Sequence, residues 1–315
     1  MNSFLKTFIL LLSLILFSEA ALAARVAGTQ IDLEPPSGFA PSAQFTGFAY
    51  TGEYNASIVI TEIPAPVTEI LKPFTSETLA KNGMTLLDSS KIKVDNADAS
   101  LFHVSQSQGG QIYIKWILIS GDEKHTVLIN GIFPQDQASL FDAPIKRALL
   151  STKWNAGTPK DVFEGLQFRV QPTAKLKIAG RISNYIILSE SGQHSNIDSS
   201  EGRCFVGDNE RSVNLSADRL AEFSKERLLG MRAMQDVFKD FSDAGGKSVQ
   251  VDNVASYERL MNAVRRKNGE ANQIYLVIIP YPNRFDEINC FAPASRMGEL
   301  LPQFRQVTAS FKRVP

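Results

Sequence analysis

The sequence predicts an α+β fold made of two similar domains, each an antiparallel sheet flanked by helices. Two observations carry this. The chain matches itself in order: Val26 to Pro35 (VAGTQIDLEP) against Phe163 to Pro172 (FEGLQFRVQP), Val94-Asp95-Asn96 against Val251-Asp252-Asn253, and Gln111-Ile112-Tyr113 against Gln273-Ile274-Tyr275. Ile129-Asn130, Pro134, Ser151 and Lys153 answer Ile288-Asn289, Pro293, Ser310 and Lys312 at one constant offset of 159 residues. In addition, each half ends in a strand meander followed by a helix. The turns of the meander leave no room for the helical crossovers that a parallel sheet requires.

Residues 1–23 read as a signal peptide. Lys6 is the one early cation, Phe8 to Phe17 is an apolar run of suitable length, and Ala21-Leu22-Ala23 puts small residues where a signal peptidase reads. Ser18-Glu19 ends the run short of the roughly 20 apolar residues of a membrane helix, and no later stretch reaches that length. The expected mature chain starts at Ala24, in a periplasm or outside the cell. Its length suits two domains of ordinary size: a first over 24–155, a linker over 156–160, and a second, diverged copy over 161–315.

Within the first half, Gly28 to Pro35 alternates apolar and polar residues as a half-buried strand does, and Pro35-Pro36-Ser37-Gly38-Phe39 is a turn. Ala56 to Ile63 is a second strand, closed by Pro64. Thr75 or Ser76 caps a helix that carries Leu79 and stops at Asn82-Gly83. Strands follow over Ser100 to Ser105, Ile112 to Ile119 and His125 to Phe133, with turns at Gly109-Gly110 and Gly121-Asp122. Asp136 to Ser151 closes the half as a helix that Pro144 kinks or restarts.

The second half opens with a strand at Phe168 to Val170. Strands at Tyr185 to Leu188 and Cys204 to Val206 bracket a polar loop, Gly192 to Arg203. A long helix capped by Ser216 carries Leu220, Phe223, Met231, Met234, Phe238 and Phe241 on one face and ends at Asp243-Ala244-Gly245-Gly246. Its Met and Phe stripe reads as a core face, with a ligand groove as the alternative. Further strands are expected over Val249 to Glu258, Ile274 to Pro280 and Glu287 to Phe291, then a last helix over Met297 to Ala309. Arg265-Arg266-Lys267 reads as a solvated hairpin tip.

GTQIDLEPPSGF, ASIVITEIPAP, the Gly83-Met84 pair and the closing ALLSTKW resemble the PsbP/DcrB-like family, which shares its fold with the small Ran-binding nuclear transport factor. The resemblance covers residues 26–154 well and 163–313 poorly, since the second half has no Gly-Phe after Pro172 and carries the loop near Gln193. It implies an α/β/α sandwich in tandem and non-catalytic roles in binding or assembly, and it transfers no catalytic residue.

Lysine plus arginine and aspartate plus glutamate balance at 33 each, so no global charge draws the chain to nucleic acid or anionic lipid. No serine-hydrolase elbow, metalloprotease helix, Cys-x-x-Cys or nucleotide loop occurs. Of the three histidines, His103 and His125 fall on strands of one expected sheet, with Asp122 or Glu123 near the latter. They could share a metal, but as sheet residues they need not meet. His194 reads as a solvated loop residue. Asp95 and Asp98 read as turn formers. Cys204 and Cys290 are the only cysteines. An oxidising compartment favours a disulfide between them; the alternative is two buried thiols in strands that never meet. The expected function is therefore an exported, non-catalytic binding or assembly module, without cofactor or metal and with a protein partner in the envelope. The alternatives are a carrier of a small ligand or lipid, and an enzyme whose site spans both domains.

Overall fold

A computed structural model of the chain describes residues 23–42, 44–155, 157, 161–193, 200–209, 215–216, 218–282 and 284–314. The expected leader, His194 and most of the expected linker lie outside the described residues. In the first half, β1 (Ala24–Arg25), β2 (Ile31–Leu33), β3 (Phe39–Pro41), β4 (Gly47–Tyr50) and β5 (Ser57–Ile63) precede α1 (Val67–Leu71) and α2 (Ser76–Lys81). Then come β6 (Met84–Val94), β7 (Ala97–Gln108), β8 (Gln111–Gly121), β9 (Thr126–Pro134), α3 (Ala138–Leu150) and β10 (Lys153–Trp154). The second half holds β11 (Phe168–Arg169), β12 (Lys177–Ile182), β13 (Tyr185–Ser189), β14 (Arg203–Asn209), α4 (Leu220–Gly230) and α5 (Arg232–Val237). It continues with β15 (Phe238–Val251), β16 (Val254–Arg265), β17 (Ala271–Tyr281), β18 (Arg284–Pro293), α6 (Met297–Ser310) and β19 (Lys312–Arg313).

Each half builds one seven-stranded antiparallel sheet, and the two orders are the same: β3-β4-β5-β9-β8-β7-β6 and β12-β13-β14-β18-β17-β16-β15. Local detail repeats as well. Asp95-Asn96 and Asp252-Asn253 are two-residue hairpin turns with φ of 48° and 64°, and of 48° and 63°. Two positive φ values in a row give the type I′ twist that a tight hairpin needs, and Asp and Asn tolerate them best after glycine. Ser151 Oγ and Ser310 Oγ each accept the backbone N–H that follows a strand, from Glu34 at 2.9 Å and from Gln171 at 3.0 Å.

Both faces of each sheet are covered. Along β17, Tyr275, Val277 and Ile279 pack under α6, while Ile274, Leu276 and Ile278 pack under α4 and α5. In the first half, Leu101 and Trp116 belong to the core under α3, and Phe102, Val104 and Ile117 to the one under α1 and α2. A period of two along one strand thus feeds two cores. Among the described residues no helix is long and apolar enough to cross a membrane.

Three expectations are corrected. The long helix breaks at Met231 (φ −75°, ψ 103°), and Phe238 and Phe241 lie in β15, so the expected glycine stop falls inside a strand with bulges near Lys239 and Asp243. Pairing with β16 overrides the helical spacing, and the Phe238 ring lies under the buried Arg265 guanidinium. Val249 to Glu258 is a hairpin and not one strand, because Asp252-Asn253 turns it. Arg265 is 1 % exposed and belongs to the core, unlike the solvated tip expected of it. The stripe of the expected long helix is core: Leu220, Met234 and Phe238 are buried with Phe285 and Phe291.

Cys204 and Cys290 face each other across β14 and β18 and are bonded, with Cα atoms 4.0 Å apart. The matching pair in the first sheet is Ile58 and Gly131. A Cβ at Gly131 would stand 2.2 Å from Ile145 Cγ2, so α3 presses on the sheet where the second half holds sulfur. Thiol counting on the unfolded, unreduced chain should find no free thiol. Cys204→Ser should cost about 4–5 kcal/mol of second-domain stability in a chain-entropy account, read by urea unfolding. Gly131→Ala should cost the first domain about 1–3 kcal/mol by overpacking.

Candidate functional site: the cleft between the domains

The joint between the halves is built on one arginine. Arg181 lies in β12, the edge strand of the second sheet. Its guanidinium donates to Val162 O (3.3 Å), Glu164 O (2.6 Å) and Ser183 O (2.5 Å), and across the joint to Thr46 Oγ1 (3.1 Å). The β12–β13 turn, with Ser183 at φ 50°, leans on the first domain. There Thr46 Oγ1 donates to Ser183 O at 3.2 Å, and Asn184 Nδ2 donates to Gln44 O at 2.6 Å. On the other side Glu164 Oε2 accepts Gly28 N–H at 3.1 Å and Arg25 Nη2 at 2.9 Å. Gly28 has φ 73°, and a Cβ there would fall 1.9 Å from Arg181 Nη1. Glycine at this turn therefore serves both the backbone and the joint.

Beside this joint a cleft of about 200 Å3 opens, lined by Gln30, Glu62, Pro64, His125 and Trp154 of the first domain and by Ala179 to Arg181 of the second. Glu62 Oε1 accepts Gln30 N–H at 3.1 Å and fixes one wall. Gly180, at φ 148°, carries the bulge of β12 and keeps the opposite wall low. Trp154 Nε1 is buried and has no hydrogen-bond partner among the described residues. The ladder explains why. Trp154 pairs with Ile31 and Arg313 with Phe168, so the two occupy one position of the fold. Arg313 fills its place: it donates to Asp286 and to Gln167, at 2.9 and 2.8 Å, and covers the Tyr281 ring at 4.1 Å. Trp154 has no such set of acceptors, and space remains around it.

His103 and His125 do not come together. His103, in mid-β7, stacks on Trp116 with ring centroids 4.0 Å apart and lies 3.7 Å from Asp142 Oδ1. That carboxylate already accepts Trp116 Nε1 at 2.9 Å, and Lys146 Nζ stands over the indole. His125 sits before β9 at the cleft. Its N–H, with that of Lys124, donates to Asp122 Oδ1, which holds the Asp122 carboxyl below its usual range. Among the described residues no group of three or more His, Cys, Asp and Glu could hold a metal. Glu123 joins no such group. Sequence reasoning missed Arg181, Glu62 and Trp154. The signal for Trp154 lay in the self-match, where tryptophan stands opposite Arg313. It also missed a buried trio, in which Glu287 accepts Arg227 twice at 2.7 Å and Tyr185 Oη at 2.6 Å. Tyr185 reaches Glu287 over Gly207, where any Cβ would meet its ring at 2.4 Å.

No family model matches the chain, and no curated protein does. Among solved structures it is similar to LpqN of Mycobacterium tuberculosis, described as involved in cell envelope biogenesis: 11 % identity, 47 % of this chain and 83 % of that one, TM-score 0.34. It is similar to the cyanobacterial PsbP of Synechocystis, at 10 % identity over 47 % and 82 % of the two chains, TM-score 0.30. It is also similar to TplEi, a T6SS immunity protein of Pseudomonas aeruginosa, at 11 % identity over 95 % and 99 %, TM-score 0.32. A PsbP thus stands among the solved structures to which the chain is similar.

Two outcomes follow for this site. Arg181→Ala should separate one cooperative thermal transition into two in calorimetry, because it removes the bond to Thr46 and frees Ser183 and Glu164, whose own bonds to the first domain depend on their placement by the guanidinium. Burial of the His103 imidazole holds its pKa below the ordinary 6.5. Below that pH the unfolded chain takes up a proton that the folded chain refuses, so first-domain stability should be full above 6.5 and fall as the pH drops toward the lower folded value. His103→Phe should remove that slope in urea unfolding at pH 8 and pH 5.5.

Proposed function

We propose that the chain is an exported, non-catalytic binding module that takes a protein partner into the cleft between its two domains. The observation that carries this is the joint itself. Arg181 and Glu164 hold two edge regions together and leave a cleft whose walls come from both domains, where a partner segment meets pre-positioned groups. Preorganisation of this kind lowers the ordering cost of binding. Glu62 on one wall and Arg181 on the other offer charge of both signs. Export is supported by the leader-like sequence over 1–23 and by the Cys204–Cys290 disulfide, a bond of oxidising compartments. The domain limits 24–155 and 161–315 belong to this reading.

The test is a pull-down with the mature chain from its own envelope extract, repeated with Gly180→Arg, which puts a long side chain on the low wall of the cleft. A stoichiometric protein lost with Gly180→Arg supports the reading. A partner retained by that variant, or a co-purifying small molecule in place of a protein, contradicts it. A captured partner that enters from outside the cell would make the role an immunity function; a resident one would make it assembly. Mass spectrometry of the exported chain should show a start at Ala24.

A further inference from the structure

The two domains differ sharply at one matched place. In the second domain the groove between the closing helix and the first two sheet strands is stitched shut by charge. Lys175 Nζ pairs with Glu299, Lys175 N–H donates to Gln303 Oε1 at 3.3 Å, and Arg296 grips Glu190 at 2.7 Å through both terminal nitrogens. The matching residues of the first domain are Gly38 for Lys175, Leu140 for Glu299, Pro144 for Gln303, Gln137 for Arg296 and, through the strand ladders, Tyr50 for Glu190. None can form that stitch. A groove of about 490 Å3 lies open there instead, within the range of about 300–1,000 Å3 usual for small-molecule sites.

Its floor is apolar and rigid. Phe39, Tyr50 and Phe141 meet pairwise with centroids 5.0 to 6.1 Å apart, and Pro35, Pro36 and Pro144 form the walls. Leu140 stands at the mouth, 45 % exposed. The rim is charged. Glu34 and Arg147 both line the groove and are exposed, and among the described residues neither side chain has an ion-pair partner. The second domain has Gln171 and Gln306 at these two positions. Charges have therefore left the interior of the groove and appeared at its edge. The neighbouring sheet edge offers little to an added strand, since Pro41 carries no N–H and Phe39 N–H is used by Pro36 O.

We propose that this groove binds a single-chain zwitterionic amphiphile, its acyl chain on the Phe39–Tyr50–Phe141 floor, its anionic group at Arg147 and its cationic group at Glu34. An apolar floor alone would take any greasy chain. Two unpaired rim charges of opposite sign select a headgroup that carries both. A lysophosphatidylethanolamine has that chemistry.

The experiment is isothermal titration of the whole mature chain with a short-chain lysophosphatidylethanolamine below its micellar concentration, beside dodecanoate and dodecyltrimethylammonium. The expected result is one site per chain, with the zwitterion bound at least fivefold more tightly than either singly charged probe. Arg147→Gln should weaken the zwitterion and dodecanoate several-fold and spare dodecyltrimethylammonium. Glu34→Gln should do the converse, and Leu140→Glu should weaken all three tenfold or more. Glu299→Gln, in the matched place of the second domain, should change none of them. An unchanged thermal midpoint checks that the surface variants are folded. No binding of the zwitterion, equal binding of all three probes, or binding indifferent to Arg147→Gln and Glu34→Gln overturns the proposal.

Discussion

The Arg181 guanidinium is the constraint on which the relation between the two domains rests. Four acceptors share it, and the group reaches Thr46 of the other domain only because Gly28 presents no Cβ in its way. A planar fork of five donors suits such a junction better than a lysine would, since it meets several carbonyls at once without changing rotamer. The bonds are individually modest. Their effect is geometric: three hold Val162, Glu164 and Ser183 in place within the second domain, and the fourth, with the bonds that Glu164 and Ser183 make to the first domain, sets β12 against it beside the cleft.

One topology has been furnished in two ways. The first domain keeps a glycine at position 131 beneath α3, an open aromatic groove and a tryptophan amid empty space. The second has a disulfide, a stitched groove and Arg313 locked by Asp286 and Gln167. It also buries ion pairs such as Arg227 with Glu287, whose loss on either side would leave an uncompensated charge. The second domain thus spends its polar residues on internal closure. The first leaves its surface concavities free, and both the cleft and the groove draw most of their lining from it.

Much of this was legible in the sequence, for identifiable reasons. The buried strands β8, β9 and β17 carry long apolar runs, and the paired Gly28 and Gly165, Asp95-Asn96 and Asp252-Asn253, and Ser151 and Ser310 mark equivalent turns in both halves. What was missed has physical causes too. β6 is a solvent-facing edge strand with little apolar alternation to read. Met231, Met234, Phe238 and Phe241 recur at helical spacing, yet Phe238 is drawn into the sheet by Arg265 and Phe291. Asp252-Asn253 turns a chain that has Val249 and Val251 just before it and Val254 just after, so the hairpin reads as one strand. The cleft was not legible, because Arg181, Glu62 and Trp154 come together only when the two domains meet. No local pattern announces that Glu62 and Arg181, more than a hundred positions apart, line one cleft.

The central claim is that Arg181 fixes the two domains as one body with a preformed cleft. Spin labels at exposed Lys81 and Lys267, read by pulsed dipolar spectroscopy, test it most directly. One narrow distance distribution is predicted for the native chain, broadening markedly with Arg181→Ala. A broad distribution in the native chain, or no change on removing the guanidinium, would contradict it.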